Sequence, residues 1–147
     1  MDLILWRHAD AENGADDAAR RLTPKGIKQA SRMGAWLDSR LPKDARLLVS
    51  PAVRAQQTAQ ALPREANTSE KVKTGAEAAQ ILAAAGWPHG SGTVVVVGHQ
   101  PTLGAAAALA LTGKASSWHL KKAGVWWLSA NDDEPAAVIA VMSVDLL

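Results

Sequence analysis

Two apolar runs, each ending at a histidine, constrain this chain more than any other feature. Leu3-Ile4-Leu5-Trp6 passes directly into Arg7-His8-Ala9, and Thr93-Val94-Val95-Val96-Val97 passes into Gly98-His99-Gln100-Pro101. A short, continuous apolar run bounded by small and polar residues reads as a buried strand. Both strands deliver a histidine at the point where they leave the sheet, so the two endings imply one shared site.

Helical periods separate these and further strands. Residues 2–7 predict a strand and 9–22 a polar loop; Thr23-Pro24 then supplies an N-cap followed by proline at the first helical position. A helix is expected over about 24–40, with Ile27, Ala30, Met33, Ala35, Trp36 and Leu37 on its buried face and Pro42 ending it. Residues 46–50 predict a second strand, and Ser50-Pro51 repeats the cap signal for a helix to about Leu62, with Arg54 in its first turn. Residues 63–74 look polar and irregular, 76–85 helical, and 86–92 a loop. An Ala-rich helix is expected over 101–111, closed by Gly113. Residues 123–129 and 136–144 predict two last strands around Asn131-Asp132-Asp133, a candidate antiparallel edge. Strands alternating with helices predict an α/β fold, a three-layer α/β/α sandwich with a mostly parallel central sheet.

At 147 residues the chain suits one domain, 1–147. Its 16 basic and 14 acidic side chains leave a formal charge of +2, which is no nucleic-acid footprint. The absence of cysteine excludes disulfides, thiolate metal sites and a cysteine nucleophile, and fits a reducing cytoplasm. The first apolar run is too short for a membrane span or a secretory signal. The expectation is a cytoplasmic protein with neither nucleic acid nor membrane as partner. All six aromatic residues are tryptophan, so Ala, Leu and Val must fill most of the core. Of Trp126 and Trp127, which alternate across a strand, one is expected in the core and the other covered by a helix or exposed at an interface.

In α/β sheets, ligands gather at the carboxyl ends of strands, where helix N-termini also point. Arg7, His8, Ser50, Arg54, His99 and Gln100 all fall at such ends or one helical turn beyond. Two guanidiniums can clamp a phosphoryl group with forked hydrogen bonds, and helix starts at Pro51 and Pro101 would add positive dipole ends, so the predicted ligand is phosphate. A neutral imidazole is a competent nucleophile toward phosphorus near neutral pH. A second, protonated imidazole would stabilise charge on the equatorial oxygens together with the arginines, and no metal is then needed. A metal site built from His8, Asp10 and His99 is the weaker reading, because the flanking arginines repel a cation. Arg21 divides between an ion pair with Asp16 or Asp17 and a role in the site. His89 and His119 read as turn or packing residues, and Lys121-Lys122 as a solvated face that can also dock an acidic partner.

Four ordered segments then carry a resemblance. Arg7-His8-Ala9-Asp10-Ala11, Arg21-Leu22-Thr23-Pro24-Lys25-Gly26, Val49-Ser50-Pro51-Ala52-Val53-Arg54-Ala55-Gln56-Gln57-Thr58-Ala59 and Gly98-His99-Gln100-Pro101-Thr102-Leu103-Gly104 resemble the histidine phosphatase superfamily, with its phosphoglycerate mutase-like fold. In so short a chain they are most similar to its SixA-type phosphohistidine phosphatases. The resemblance implies His8 as nucleophile, Arg7 and Arg54 as phosphate ligands, His99 as the second catalytic histidine, and Arg21 and Ser50 in support; Asp10, beside the nucleophile, is a further supporting candidate. It further implies a phosphate contact from the Gln100 backbone N–H and chemistry without a cofactor.

Larger members place an acidic residue in the middle segment to protonate an alkoxide leaving group. Glu65, Glu70 and Glu77 stand in no matching motif here, and Asp10 is an equal candidate. A phosphorylated imidazole needs less help, since its P–N bond is labile. The favoured expectation is therefore hydrolysis of protein phosphohistidine, on a phosphorelay or phosphotransferase component, through a phospho-enzyme on His8. A broad phosphatase for small esters or phosphoramidates stands second, and a non-catalytic phosphate- or partner-binding protein third.

Overall fold

The computed structural model describes residues 1–147. Six strands form one sheet: β1 (Asp2–Arg7), β2 (Arg46–Val49), β3 (Ala66–Thr68), β4 (Thr93–Gly98), β5 (Val125–Ser129) and β6 (Ala137–Met142). Four helices accompany them: α1 (Pro24–Asp38), α2 (Val53–Ala59), α3 (Ala78–Ala85) and α4 (Thr102–Thr112). The strand order is β3-β2-β4-β1-β5-β6. The first four strands are parallel to one another, while β5 runs antiparallel to both β1 and β6. The expected antiparallel edge is thus the β5–β6 hairpin, whose turn is held by Asn131 Oδ1 accepting from the backbone of Asp133 and Glu134.

The two opening apolar runs pair directly with each other. Leu3 lies opposite Val94 and Arg7 opposite Gly98, so His8 and His99 leave the sheet side by side. Val49 pairs with Val97, which brings Ser50 out at the same level. Alternation along the central strands then builds a core on each face. Ile4 and Trp6 pack with Met33 and Leu37 of α1 and Ala55 and Ala59 of α2. Leu3 and Leu5 pack on the other face with Ile81 and Leu82 of α3 and Leu103 and Ala106 of α4. Each such fully buried aliphatic side chain contributes about 1.5–3 kcal/mol. Trp6 satisfies its indole N–H on the Ala123 carbonyl. Trp127 is buried and donates to Asp2, whereas Trp126 is half-buried against Trp118.

The structure departs from the expected elements at four places. In α1 the buried stripe is Gly26, Ala30, Met33, Gly34 and Leu37, and Ile27 and Ala35 face solvent. Gly26 takes the inward position because the Asp10 carbonyl sits against its Cα. A Cβ there would lie 2.0 Å from that oxygen. Ser50-Pro51 does not open α2, which begins at Val53 with Ala52 as its cap, because the Ser50 hydroxyl is drawn to His99. Likewise α4 starts at Thr102, one residue after Pro101. Residues 66–68, expected as irregular, form the edge strand β3 through backbone pairing to β2. Thr23 does cap α1 as expected, its hydroxyl accepting from Gly26 N–H at 3.0 Å.

Gly26→Ala tests the close approach of α1 to the loop after β1. The added methyl must push the Asp10 backbone away, at a cost of about 1–3 kcal/mol. A lowered urea midpoint with an unchanged m-value is the expected outcome, and because Asp10 is two residues from His8, activity should fall further than stability.

Candidate active site

His8, Arg54 and His99 come from three different elements and meet at the carboxyl end of the sheet. His8 follows β1, with its backbone N–H on the Gly98 carbonyl at 3.0 Å. Its ring Nδ1 lies 2.8 Å from the Ala9 carbonyl. A carbonyl only accepts, so the proton sits on Nδ1 and Nε2 keeps its lone pair. Toward that lone pair points Arg54 Nε, at 3.3 Å. The second imidazole stands close by, with the His8 and His99 ring centroids 5.2 Å apart.

Arg54, in the first turn of α2, is only 3% exposed. Its Nη1 donates to the Asp17 carbonyl at 2.7 Å, and its Nη2 to the Asp17 carboxylate at 3.1 Å, to Thr74 Oγ1 at 3.2 Å and toward His99 Nδ1 at 3.4 Å. Because Arg54 is a donor, His99 Nδ1 is the acceptor, and His99 Nε2 carries the proton that it donates to Ser50 Oγ at 2.7 Å. Ser50, wholly buried, therefore fixes the tautomer and aims Nδ1 inward. A further hydroxyl ties the layers together: Thr58 Oγ1 accepts from Ala9 N–H and donates to the Arg54 carbonyl.

Arg7 completes the group from the end of β1. Its Nη1 donates to the Leu120 carbonyl at 2.8 Å, its Nε is buried without a partner, and no carboxylate pairs with it. Burial lowers its pKa. A half-buried cation with an orphaned donor and no counter-charge has the chemistry to pair with an external anion.

Both histidines are neutral near pH 7. Burial, with Arg54, Arg7 and Arg20 adding to it and the Ala9 hydrogen bond opposing, takes His8 down to about 4. Burial, then His8 and Arg54, takes His99 down to about 3. Neutral His8 suits a nucleophile. Neutral His99 belongs to the anion-free site, where two guanidiniums already surround it; an arriving phosphoryl dianion would push its pKa back up, toward the protonated partner considered from the sequence.

A consequence for pH follows directly. Any reaction that uses the His8 Nε2 lone pair should persist as pH falls through the ordinary histidine range and fail near pH 4, as that nitrogen becomes protonated. Stability obeys the same sign. Below about pH 6.5 the unfolded chain binds protons that the folded chain refuses, so stability present above that pH should be lost progressively as pH falls toward 4 and then 3. Urea midpoints from pH 8 to 4 check this.

The remaining expected residues lie outside this cluster. Asp10 is held by Lys122 at 2.7 Å and by Thr23 at 2.7 Å, which lower its pKa; a carboxylate kept ionised by such partners is a poor proton donor. Glu77 is exposed at the start of α3, where its backbone N–H donates to Gln80. Arg21 is exposed and makes no ion pair, and the expected partner Asp17 is taken by Arg20 and Arg54 instead. The Gln100 side chain ties Gly104 N–H to the Trp118 carbonyl, while its own N–H has no partner within the protein. His89 stands in its loop, exposed and beside Asp132. His119 is not a packing residue, since it is exposed on the rim of a hollow that also contains Arg7. Sequence reasoning missed Asp17 and Thr74 altogether as neighbours of Arg54. The polar loops carrying them hold no signal beyond residue types able to accept from a guanidinium.

No three His, Asp or Glu side chains converge in a group able to hold a metal ion. No helix is long and apolar enough to cross a membrane.

Two neutral histidines between two guanidiniums, at the carboxyl end of a largely parallel sheet, define an α/β protein with a histidine-centred cationic cluster. Comparison with known proteins takes this a step further. Residues 3–77 match the histidine phosphatase superfamily (branch 1), and the chain belongs to that family. A phosphohistidine phosphatase SixA homolog of Haemophilus influenzae is 45% identical over 64 residues, covering 40% of this chain and 39% of that protein. An uncharacterized protein of Mycobacterium leprae is 33% identical over 103 residues, covering 69% of this chain and 63% of its own length. These alignments thus span less than two thirds of either relative. Among solved structures, the protein histidine phosphatase SixA complexed with tungstate superposes with a TM-score of 0.82 at 24% identity, over 99% of both chains. An Entamoeba histolytica phosphoserine phosphatase mutant bound to phosphoserine superposes at 0.76 with 19% identity, over 99% of this chain and 98% of its own. Both share the phosphoglycerate mutase-like α/β sandwich expected from the sequence.

Proposed function

We propose that this chain is a phosphatase that hydrolyses phosphohistidine on a cytoplasmic protein, a phosphorelay or phosphotransferase component, with residues 1–147 acting as one catalytic domain. The observation that carries the reading is the His8 ring, locked with Nδ1–H on Ala9 so that its Nε2 lone pair faces the Arg54 guanidinium. In the first step Nε2 attacks phosphorus, the P–N bond of the substrate breaks, and the departing imidazole takes a proton from water. A phosphoryl group is then carried on His8. In the second step water attacks that phosphorus, the His8–phosphorus bond breaks, and inorganic phosphate leaves with the imidazole neutral again. Arg7, Arg54 and His99 stabilise the charge on the equatorial oxygens in both steps. The Gln100 N–H is a further phosphate donor.

The carboxylates that hydrogen-bond around the site, Asp10 and Asp17, are both held ionised, which favours an imidazole over an alkoxide as leaving group; Glu70, which lines the same hollow as Asp17, Ser50 and Thr74, is the carboxylate to test as a donor. Asp17 is the carboxylate nearest the site, and Arg20 and Arg54 hold it ionised. The names of the SixA relatives agree with this preference.

The test sets a phosphohistidine-bearing protein beside a simple alkyl phosphomonoester, with and without chelator. Rapid, chelator-resistant loss of phosphohistidine with slow ester turnover is expected. Equal or faster ester turnover would make the chain a broad phosphatase, and loss of neither substrate would leave a phosphate-binding protein.

A further inference from the structure

The cations of this chain are not evenly spread. A hollow of about 360 Å³ lined by Arg7, Lys121, Lys122 and His119 opens beside the active site. A second, of about 470 Å³, carries Lys25, Lys28 and Arg32 of α1. Gln29, Val144 and Asp145 line both, so the two form one groove running outward from Arg7. Six cations face it against the single carboxylate of Asp145, although the whole chain has a formal charge of only +2.

Ion pairing leaves the outer end of this groove uncompensated. Asp145 is bound to Lys121 at 3.0 Å, and Asp10, at the rim, to Lys122 at 2.7 Å. Lys25, Lys28 and Arg32 are exposed and make no ion pair. Their spacing of i, i+3 and i+7 aligns them along one side of α1 over about 10 Å. Helix stability does not account for them. Lys25 and Lys28 stand near the positive end of the helix dipole, where cations are unfavourable and where α1 has no acidic residue.

We propose that this groove docks an acidic surface of the phosphohistidine-bearing protein, its carboxylates lying along Lys25, Lys28 and Arg32 while its phosphohistidine reaches His8 past Arg7. This rests on the phosphatase reading above and adds to it the chemistry by which the partner is chosen. A free phosphorylated imidazole would touch only the Arg7 end, so the three α1 cations discriminate between protein substrates without taking part in the chemistry. Complementary charge of this kind raises the rate of encounter and sets orientation.

The test uses the full chain and a small helical protein with one histidine, phosphorylated by phosphoramidate. Three versions carry glutamate, glutamine or lysine on the helical face flanking that histidine. At low ionic strength the glutamate version is expected to show a kcat/KM about 10-fold above the glutamine version, an advantage lost near about 0.5 M NaCl. K25E/K28E/R32E should abolish that preference and favour the lysine version, while hydrolysing free phosphohistidine at the wild-type rate to within about twofold, which also reports correct folding. Acidic residues near the start of α1 favour the helix, so the variant is expected to fold. Equal kcat/KM for the three versions, with free phosphohistidine hydrolysed normally, overturns the docking surface alone. Failure of the wild-type chain on free phosphohistidine and on all three proteins overturns the phosphatase reading and this inference with it.

Discussion

His8→Ala is expected to reduce phosphohistidine turnover by roughly 10⁴-fold or more, because a nucleophile that carries a covalent intermediate has no substitute in its site. Rapid-quench experiments with radiolabelled substrate should show acid-labile, alkali-stable phosphate on the wild-type chain and none on the variant. Anion binding should survive, as Arg7 and Arg54 remain. The same substitution removes a buried imidazole that resists protonation, so the variant should lose less stability than the wild type as pH falls from 6.5 toward 4. An active variant, or one that still accumulates phosphoprotein, would place the nucleophile elsewhere.

The parts of this site that were legible in the sequence share a physical cause. The runs at 3–6 and 93–97 are continuously apolar because both faces of β1 and β4 are covered, and a buried parallel strand must deliver its next residues at the sheet end. Their pairing in register, Arg7 opposite Gly98, then makes two histidines distant in sequence into neighbours. Arg54 was legible because a first-turn residue of a helix after a strand stands over the same edge. What was not legible depends on other interactions. Ala66, Asn67 and Thr68 are all exposed, so β3 has no hydrophobic alternation to announce it and is held through backbone pairing to β2, with Gln56 donating to Thr68 Oγ1. Ile27 follows the helical period yet faces water, because Gly26 beside it is needed for backbone contact with Asp10. Asp17 and Thr74 reach Arg54 from loops, and no periodicity predicts where a loop crosses a sheet end.

Asp17 also explains why the arginine can be buried. The guanidinium is desolvated on the side facing the histidines and neutralised on the other by a carboxylate that is itself 55% exposed. Arg54 thus keeps its charge and its orientation while its histidine-facing edge is available to a phosphoryl oxygen. Arg7, lacking any such partner, is the cation whose balance depends most on the substrate. The two arginines are therefore not equivalent.

Arg54→Ala is expected to lower kcat/KM by roughly 10³-fold or more, the scale on which a single arginine stabilises a phosphoryl transition state. Arg54→Lys should recover only a small part of this, because an ammonium is a point charge and cannot address two acceptors with a planar fork. A second readout separates loss of charge from general damage. Arg54 helps to hold both histidines below their ordinary pKa, so its removal should move the acid limb of the remaining activity to higher pH, whereas Arg54→Lys should keep that limb nearer its wild-type position. Some stability should be lost too, since the Asp17 carbonyl and Thr74 lose their buried donor, but the Asp17 carboxylate is already more than half exposed and can be rehydrated where it stands, so the urea midpoint should shift without collapsing. A variant that lost activity with an unmoved acid limb and a collapsed urea midpoint would show Arg54 to be a structural cation. A moved limb without such a collapse would show that it tunes the two histidines as well as binding the phosphoryl group.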